Sequence, residues 1–177
     1  MNNQILKQKE LEEIEKNYDP QLSFRKLGVR LEIIVSVLLV LMSVYHFWAS
    51  GFGLVREVLH RGIHISFVLA LVFLLFGWNK KEDLKRNYKG YFNFQNIPIL
   101  DYIFAFLAVA SALYLPLLPS KELASIVGNP GSVDVFIGSI LIILTLEAAR
   151  RSVGSTLPII AIIFTLFALF GPLAPGA

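Results

Sequence analysis

Residues 99–118 read ILDYIFAFLAVASALYLPLL, a run of twenty residues in which Asp101 is the only charged side chain. About 20 mostly apolar residues cross the hydrocarbon core of a bilayer as one helix. Shorter runs of the same kind occupy residues 33–50, 63–78, 133–148 and 157–170. Because lipid offers the backbone no hydrogen-bond partner, such segments form helices and not open strands. The sequence therefore predicts an all-α integral membrane protein with about five transmembrane helices.

The composition agrees with a membrane location. Hydrophobic residues make up 55% of the 177 residues and charged residues only 16%. A soluble domain of this size has too little interior to bury so much apolar surface. The chain has no cysteine, which excludes disulfides, thiolate metal sites and cysteine catalysis. We find no phosphate-binding loop and no nucleophile–base pair, and we expect no enzymatic activity.

The net charge is +3, and the basic residues lie mainly outside the spans, in the flanking segments and loops. Thirteen of the sixteen Lys and Arg residues fall before the first span, between the second and third, or after the fourth. The other three are Arg56, Arg61 and Lys121 on the opposite side. Basic loops stay in the cytoplasm, so this distribution predicts a cytoplasmic N-terminus in a multi-pass protein of the inner (plasma) membrane. The basic residues flank spans, and we therefore expect no nucleic-acid partner.

Residues 1–30 form a separate, highly charged N-terminal region. Apolar residues at positions 5, 6, 11 and 14 stand among Lys and Glu, a pattern typical of a short amphipathic helix that ends at Asp19-Pro20. The glutamates of this region oppose binding to anionic lipid. Two interpretations stay open: a helix on the inner membrane surface, and a solvated cytoplasmic arm.

Glu147, Arg150 and Arg151 form the first candidate polar site. The arginines follow Glu147 by three and four residues, so ion pairs along one helical face are available. An unpaired carboxylate is costly within a membrane span, and a cationic partner is expected. We interpret the group as a structural ion pair at the cytoplasmic boundary. The alternative is an arginine site for a substrate carboxylate.

His46, Arg61 and His64 form the second candidate, a polar cluster on the outer face. His60 and His64 are four residues apart, and Glu57 lies one helical turn earlier, so three ligands could share a face. That spacing permits a metal site or haem ligation. Gly62 is expected to interrupt the helix, and span ends commonly carry polar residues. We therefore predict that these side chains pack and hydrogen-bond at the interface, and that no metal or other cofactor is bound.

Several motifs resemble those of a known transporter family. The most specific is LEAARRSVG at residues 146–154, followed by LPII at 157–160. The chain resembles the fused permeases of tripartite ATP-independent periplasmic (TRAP) transporters over nearly its whole length. Further matching positions are residues 25–27, His46, residues 61–64, Asp101, Tyr114, residues 128–134, residues 167–172 and residues 175–176. Ser155 and Ala168 depart from the family pattern, where tryptophan and tyrosine are usual.

This resemblance implies an organisation and a function. TRAP permeases join a small four-helix membrane subunit to a large transport subunit that holds the substrate and sodium sites. Residues 31–130, with three spans, would form a scaffold like the small subunit. Residues 131–177, with spans four and five, would begin the region like the large subunit. We accordingly expect a fragment or split gene product that cannot transport alone. Its expected partners are an extracytoplasmic solute-binding protein, the remaining large permease subunit and the lipid bilayer.

The expected role is the scaffold of a sodium-driven organic-anion uptake system. Two hypotheses from other classes compete with it. The three outer histidines would also suit a haem- or quinone-binding membrane anchor of a redox complex. A membrane assembly factor without chemistry is the third possibility, and the sequence identifies no substrate-contacting residue.

The charge distribution generates a testable topology. Reporter fusions at position 177 should be active outside the cytoplasm, because five crossings from a cytoplasmic N-terminus end outside. Fusions within residues 79–92 should be active in the cytoplasm and serve as the matched control. If the fusions at position 177 and those within residues 79–92 are both active in the cytoplasm, the predicted fifth crossing is contradicted.

Overall fold

The computed structural model describes residue 11, residues 24–25, 27–53, 56–78, 93–94 and 97–171. Its elements, in chain order, are helix α1 (Val29–Phe52), helix α2 (Glu57–Leu75), strands β1 (Asn93–Phe94) and β2 (Ile97–Pro98), helix α3 (Ile99–Leu117), helix α4 (Ser120–Ile126), helix α5 (Ser132–Ser152) and helix α6 (Thr156–Phe170). The two strands pair antiparallel immediately before α3. Most of the predicted N-terminal arm, including its amphipathic helix, lies outside the described residues.

Among the described residues, four helices, α1, α2, α3 and α5, are long and apolar enough to cross a membrane. The architecture is thus that of an all-α membrane protein, as the apolar runs predict. Helix α6 matches the predicted fifth run but has 15 residues. At 1.5 Å per residue it is about 22 Å long, shorter than the hydrocarbon core of about 30 Å.

The second helix begins earlier than predicted. It starts at Glu57 and ends at Leu75, whereas the apolar run alone indicated residues 63–78. Polar residues at the N-terminal end therefore belong to the helix, because a helix continues through the headgroup region where water satisfies its polar side chains. The expectation that Gly62 interrupts the helix is wrong.

Gly62 is instead the point of closest approach between α2 and α3. A Cβ atom at this position would lie 2.4 Å from Cγ of Pro116 and 3.0 Å from the backbone oxygen of Ala112. Pro116 has no N–H, so it leaves that oxygen without its usual intrahelical donor. Without a side chain at residue 62, the two backbones can meet, as small residues allow in membrane helix pairs.

The core lies between α2, α3 and α5. One buried cluster joins these three helices and consists of Leu69, Phe73, Ala105, Ala108, Leu144 and Ala148. A second cluster joins α1 to the end of α2 and to β2, and consists of Leu31, Val35, Leu71, Leu74 and Ile97. Helix α5 thus shares a core with α2 and α3, although it lies beyond the predicted boundary between residues 31–130 and 131–177. That boundary stays a prediction.

Helices α1 and α6 present most of their surface outward. In α6 the large apolar side chains are exposed almost throughout, and its buried residue is Pro158. Gly154, with φ of +111°, makes the turn between α5 and α6, a backbone conformation that favours glycine. The apolar exterior of these two helices is suited to lipid or to another membrane helix.

The α2–α3 contact generates a prediction. Gly62→Ala should destabilise the protein by about 1–3 kcal/mol, the usual range for overpacking, because neither a proline ring nor a backbone oxygen can give way cheaply. Gly138→Ala in α5 is the matched control, since a Cβ there meets nothing within 4 Å. Thermal unfolding in detergent measures both. Equal melting temperatures for the two variants would show that the close approach does not matter.

Candidate functional site

Asp101 in the first turn of α3 lies at the centre of a buried group of charges. Its Oδ2 atom accepts a hydrogen bond from Nη2 of Arg25 at 2.5 Å, and its Oδ1 atom accepts one from Nη1 of Arg151 at 2.8 Å. The side chains are 4% exposed for Asp101, 4% for Arg25 and 0% for Arg151. A carboxylate this deeply buried is stable only because cations and hydrogen bonds replace its lost water.

Glu147 extends this group along α5. Its carboxylate accepts two hydrogen bonds from Arg150, from Nε at 2.7 Å and Nη2 at 2.8 Å, and one from Nε of Arg151 at 2.7 Å. Two parallel bonds from one guanidinium are the strong, geometrically specific form of this interaction. Three arginines and two carboxylates therefore make one ion-pair network: Arg25, Asp101, Arg151, Glu147 and Arg150.

The network also binds the end of α2 through the backbone. The amide of Arg25 donates to the carbonyl oxygen of Leu75 at 2.9 Å. Nη1 of Arg151 lies 3.5 Å from the oxygen of Phe76, a long contact. The carbonyl groups at a helix C-terminus have no intrahelical donor and carry partial negative charge. Cations at this position therefore connect α2 to α3 and α5.

Aromatic rings surround the buried guanidinium. The Cζ atom of Arg151 lies 5.1 Å from the ring centre of Phe73, 5.3 Å from Trp78 and 5.6 Å from Phe104. The Cζ atom of Arg150 lies 4.7 Å from the ring centre of Trp78. Ring faces attract cations, and the attraction increases where water is excluded. The rings therefore stabilise the cation and keep solvent away from its ion pairs.

The sequence pattern located part of this network. The structure brings Glu147, Arg150 and Arg151 together, the arrangement their spacing makes available. Asp101 lies in the first turn of α3 and binds Arg25 and Arg151, which the sequence pattern did not indicate as its partners. Arg25, which the sequence pattern indicated as a basic residue before the first span and as a position of the family resemblance, is buried. The cost of burying a charge was the signal in the sequence that could have found the network. A carboxylate at the start of a membrane span requires a cation, and two arginines lie at the same end of the spans.

The outer histidines occupy the opposite end of the bundle. Nε2 of His46 and Nδ1 of His64 are 2.9 Å apart, and Nδ1 of His46 lies 2.7 Å from the carbonyl oxygen of Met42. A carbonyl only accepts, so Nδ1 of His46 carries a proton. Nδ1 of His60 is hydrogen-bonded to the hydroxyl of Tyr45 at 3.0 Å. These contacts join α1 to α2.

The structure brings together only part of the predicted outer-face cluster. His46 and His64 are in contact, while Arg61 forms an exposed ion pair with Glu57. Arg61 and the three histidines line a cavity of about 390 Å³ at this end of the bundle. The Glu57, His60 and His64 side chains bind three different partners, so they do not converge. In the described part of the chain, no group of three or more His, Asp or Glu residues is arranged to hold a metal ion.

Further polar contacts join the helices at the histidine end of the bundle. Arg56 donates from Nη2 to the oxygen of Pro116 at 2.6 Å, at the C-terminus of α3. The Tyr114 hydroxyl donates to Oδ1 of Asp134 at 2.8 Å, and Oδ2 of Asp134 accepts from the amide of Gly131. Tyr114 and Asp134 both belong to the positions that resemble the family, but the sequence pattern did not indicate that they bind each other.

No protein-family model, curated protein or solved structure matches this chain. Any inference about function therefore rests on the geometry of the described residues. The ion-pair network places both carboxylates against guanidinium groups, and its most buried cation is enclosed by rings. Such a site holds helices in position. A substrate carboxylate would have to displace Asp101 or Glu147 from their arginines.

Asp101→Asn tests the network. The change leaves two buried guanidinium groups without their shared anion, and removing one partner of a buried pair typically costs about 3–5 kcal/mol. Glu57→Gln is the matched control, because the Glu57–Arg61 pair is about 70% exposed and such pairs contribute about 0–1 kcal/mol. Thermal unfolding in detergent should show a large decrease for Asp101→Asn alone. Similar small decreases for both would show that the network is solvated.

Proposed function

We propose that this chain is the membrane scaffold of a TRAP-type, sodium-driven organic-anion uptake system. The ion-pair network is the observation that carries the proposal. Glu147, Arg150 and Arg151 belong to the LEAARRSVG run, the most specific part of the family resemblance. Their ion pairs are with each other and with Asp101. The residues that resemble the family most are thus engaged in joining helices, which supports a structural role.

The arrangement of the helices supports the same role. The network joins α2, α3 and α5 at one end, and Arg56, Tyr114 and the histidines join the helices at the other. A bundle connected at both ends is a rigid support for a moving neighbour. In this proposal the N-terminus is cytoplasmic, α6 is the fifth crossing, and the network lies at the inner membrane surface.

The proposal assigns partners to the exposed surfaces. The remaining large permease subunit packs against α6, whose apolar side chains are exposed on nearly all sides. Association of membrane helices depends on packing, so α6 is stable in lipid until that partner is present. An extracytoplasmic solute-binding protein delivers the organic anion at the outer face. Transport belongs to the large subunit, and the scaffold alone moves no solute.

A transport assay tests the proposal. The chain is reconstituted in liposomes with a sodium gradient, a panel of labelled carboxylated solutes and the solute-binding protein encoded nearest to its gene. We expect no accumulation by the chain alone and sodium-dependent accumulation when the large permease subunit is added. Liposomes with the large subunit alone are the control for the scaffold's contribution. Accumulation by this chain alone, or equal accumulation without it, would contradict the scaffold role.

The geometry of the histidines favours the scaffold over a haem- or quinone-binding anchor. Ligation of one haem by two histidines requires ring nitrogens directed at opposite faces of the iron, whereas His46 and His64 are directed at each other. Both nitrogens of His46 are already within hydrogen-bonding distance of a partner. The absorbance spectrum of the same purified sample separates the two functions, since a Soret band lost in His64→Ala would support the redox anchor.

A further inference from the structure

A trough runs along the outward surface of α1, beginning at Glu32. Two adjoining cavities of about 350 and 390 Å³ form it, and Glu32 and Ser36 line both. The first is also lined by Phe24, Leu75 and Arg25, whose guanidinium is paired with Asp101. The second is lined by α1 alone, through Val29, Glu32, Ile33, Ser36, Val37, Val40 and Leu41. The trough therefore has a polar beginning and an apolar continuation.

Glu32 differs from the carboxylates of the ion-pair network. It is exposed, and no side chain in the described part of the chain binds its carboxylate. The Ser36 hydroxyl donates to the backbone oxygen of Glu32 at 2.8 Å, so that hydroxyl is already engaged. A carboxylate at the membrane boundary is stabilised by a cation. The trough thus offers a negative charge where the protein's other carboxylates at this end are already paired.

The position of Glu32 corresponds to the lipid headgroups. Its neighbours Leu31 and Val35 pack beside Ile97, at the same end of the bundle as Asp101. Nine residues separate Glu32 from Leu41, a rise of about 13 Å at 1.5 Å per residue. Half of a hydrocarbon core of about 30 Å is about 15 Å. The apolar part of the trough therefore has nearly the depth of one membrane leaflet.

We propose that this trough binds one phospholipid whose headgroup carries a primary ammonium, namely phosphatidylethanolamine. The ammonium donates hydrogen bonds to the Glu32 carboxylate, and one acyl chain lies along Ile33, Val37 and Val40. A primary ammonium has three N–H donors. The quaternary ammonium of phosphatidylcholine has none, and phosphatidylglycerol carries no cation. The Glu32 carboxylate therefore selects the headgroup, and the apolar stripe holds the chain.

Native mass spectrometry of the full chain tests the headgroup. The protein is released from micelles that contain equal amounts of phosphatidylethanolamine and phosphatidylcholine with identical acyl chains. We expect the wild type to retain phosphatidylethanolamine preferentially. Glu32→Gln should lower that preference about tenfold, the magnitude of one charge-assisted hydrogen bond. Glu122→Gln, an exposed carboxylate at the other end of the bundle, is the matched control and should keep the preference.

A second variant tests the apolar stripe. Val40→Trp fills the trough and should lower retention of both lipids without changing their ratio, because Val40 is exposed and its replacement leaves the core intact. Circular dichroism checks that each variant keeps its helices. Equal retention of the two lipids by the wild type, or an unchanged preference in Glu32→Gln, would overturn the proposal. Unchanged lipid retention in Val40→Trp would overturn the acyl-chain position.

Discussion

The carboxylate of Asp101 is the interaction on which the helix arrangement depends. It binds two guanidinium groups that come from opposite ends of the sequence, Arg25 and Arg151, with side chains 0–4% exposed. Moving such charges out of water costs several kcal/mol per ion, and only close, hydrogen-bonded partners offset that cost. Asp101 can therefore be buried only when the segment before α1, the start of α3 and the end of α5 meet at one place.

Close packing of α2 against α3 supports the same arrangement. In lipid, apolar side chains gain little by meeting each other, so helix association relies on packing and polar contacts. Gly62 lets α2 approach the Ala112 and Pro116 turn of α3. Arg56 then binds the carbonyl oxygen of Pro116 at the end of the same helix. The pair is thus held by shape in the half that contains Gly62 and by charge in the half that contains Asp101.

The other helices are attached less extensively. Helix α1 joins the bundle through Leu31 and Val35 at one end and through its histidine contact at the other. Helix α6 exposes nearly all of its large apolar side chains. Both surfaces need a hydrophobic covering. In our proposals, a phosphatidylethanolamine molecule occupies part of α1 and the large permease subunit covers α6.

The sequence by itself determined the helical membrane class, the position of the apolar runs and the proximity of Glu147 to its two arginines. These features are local: hydropathy over about 20 residues and a spacing of three or four along a helix. The tertiary structure alone decided that Arg25 and Asp101 join the network, that Gly62 is a helix contact, and that His46 meets His64. Each of these contacts joins residues 18 to 76 positions apart. Their distance depends on how the helices pack, and one helix's periodicity contains no information about the position of another.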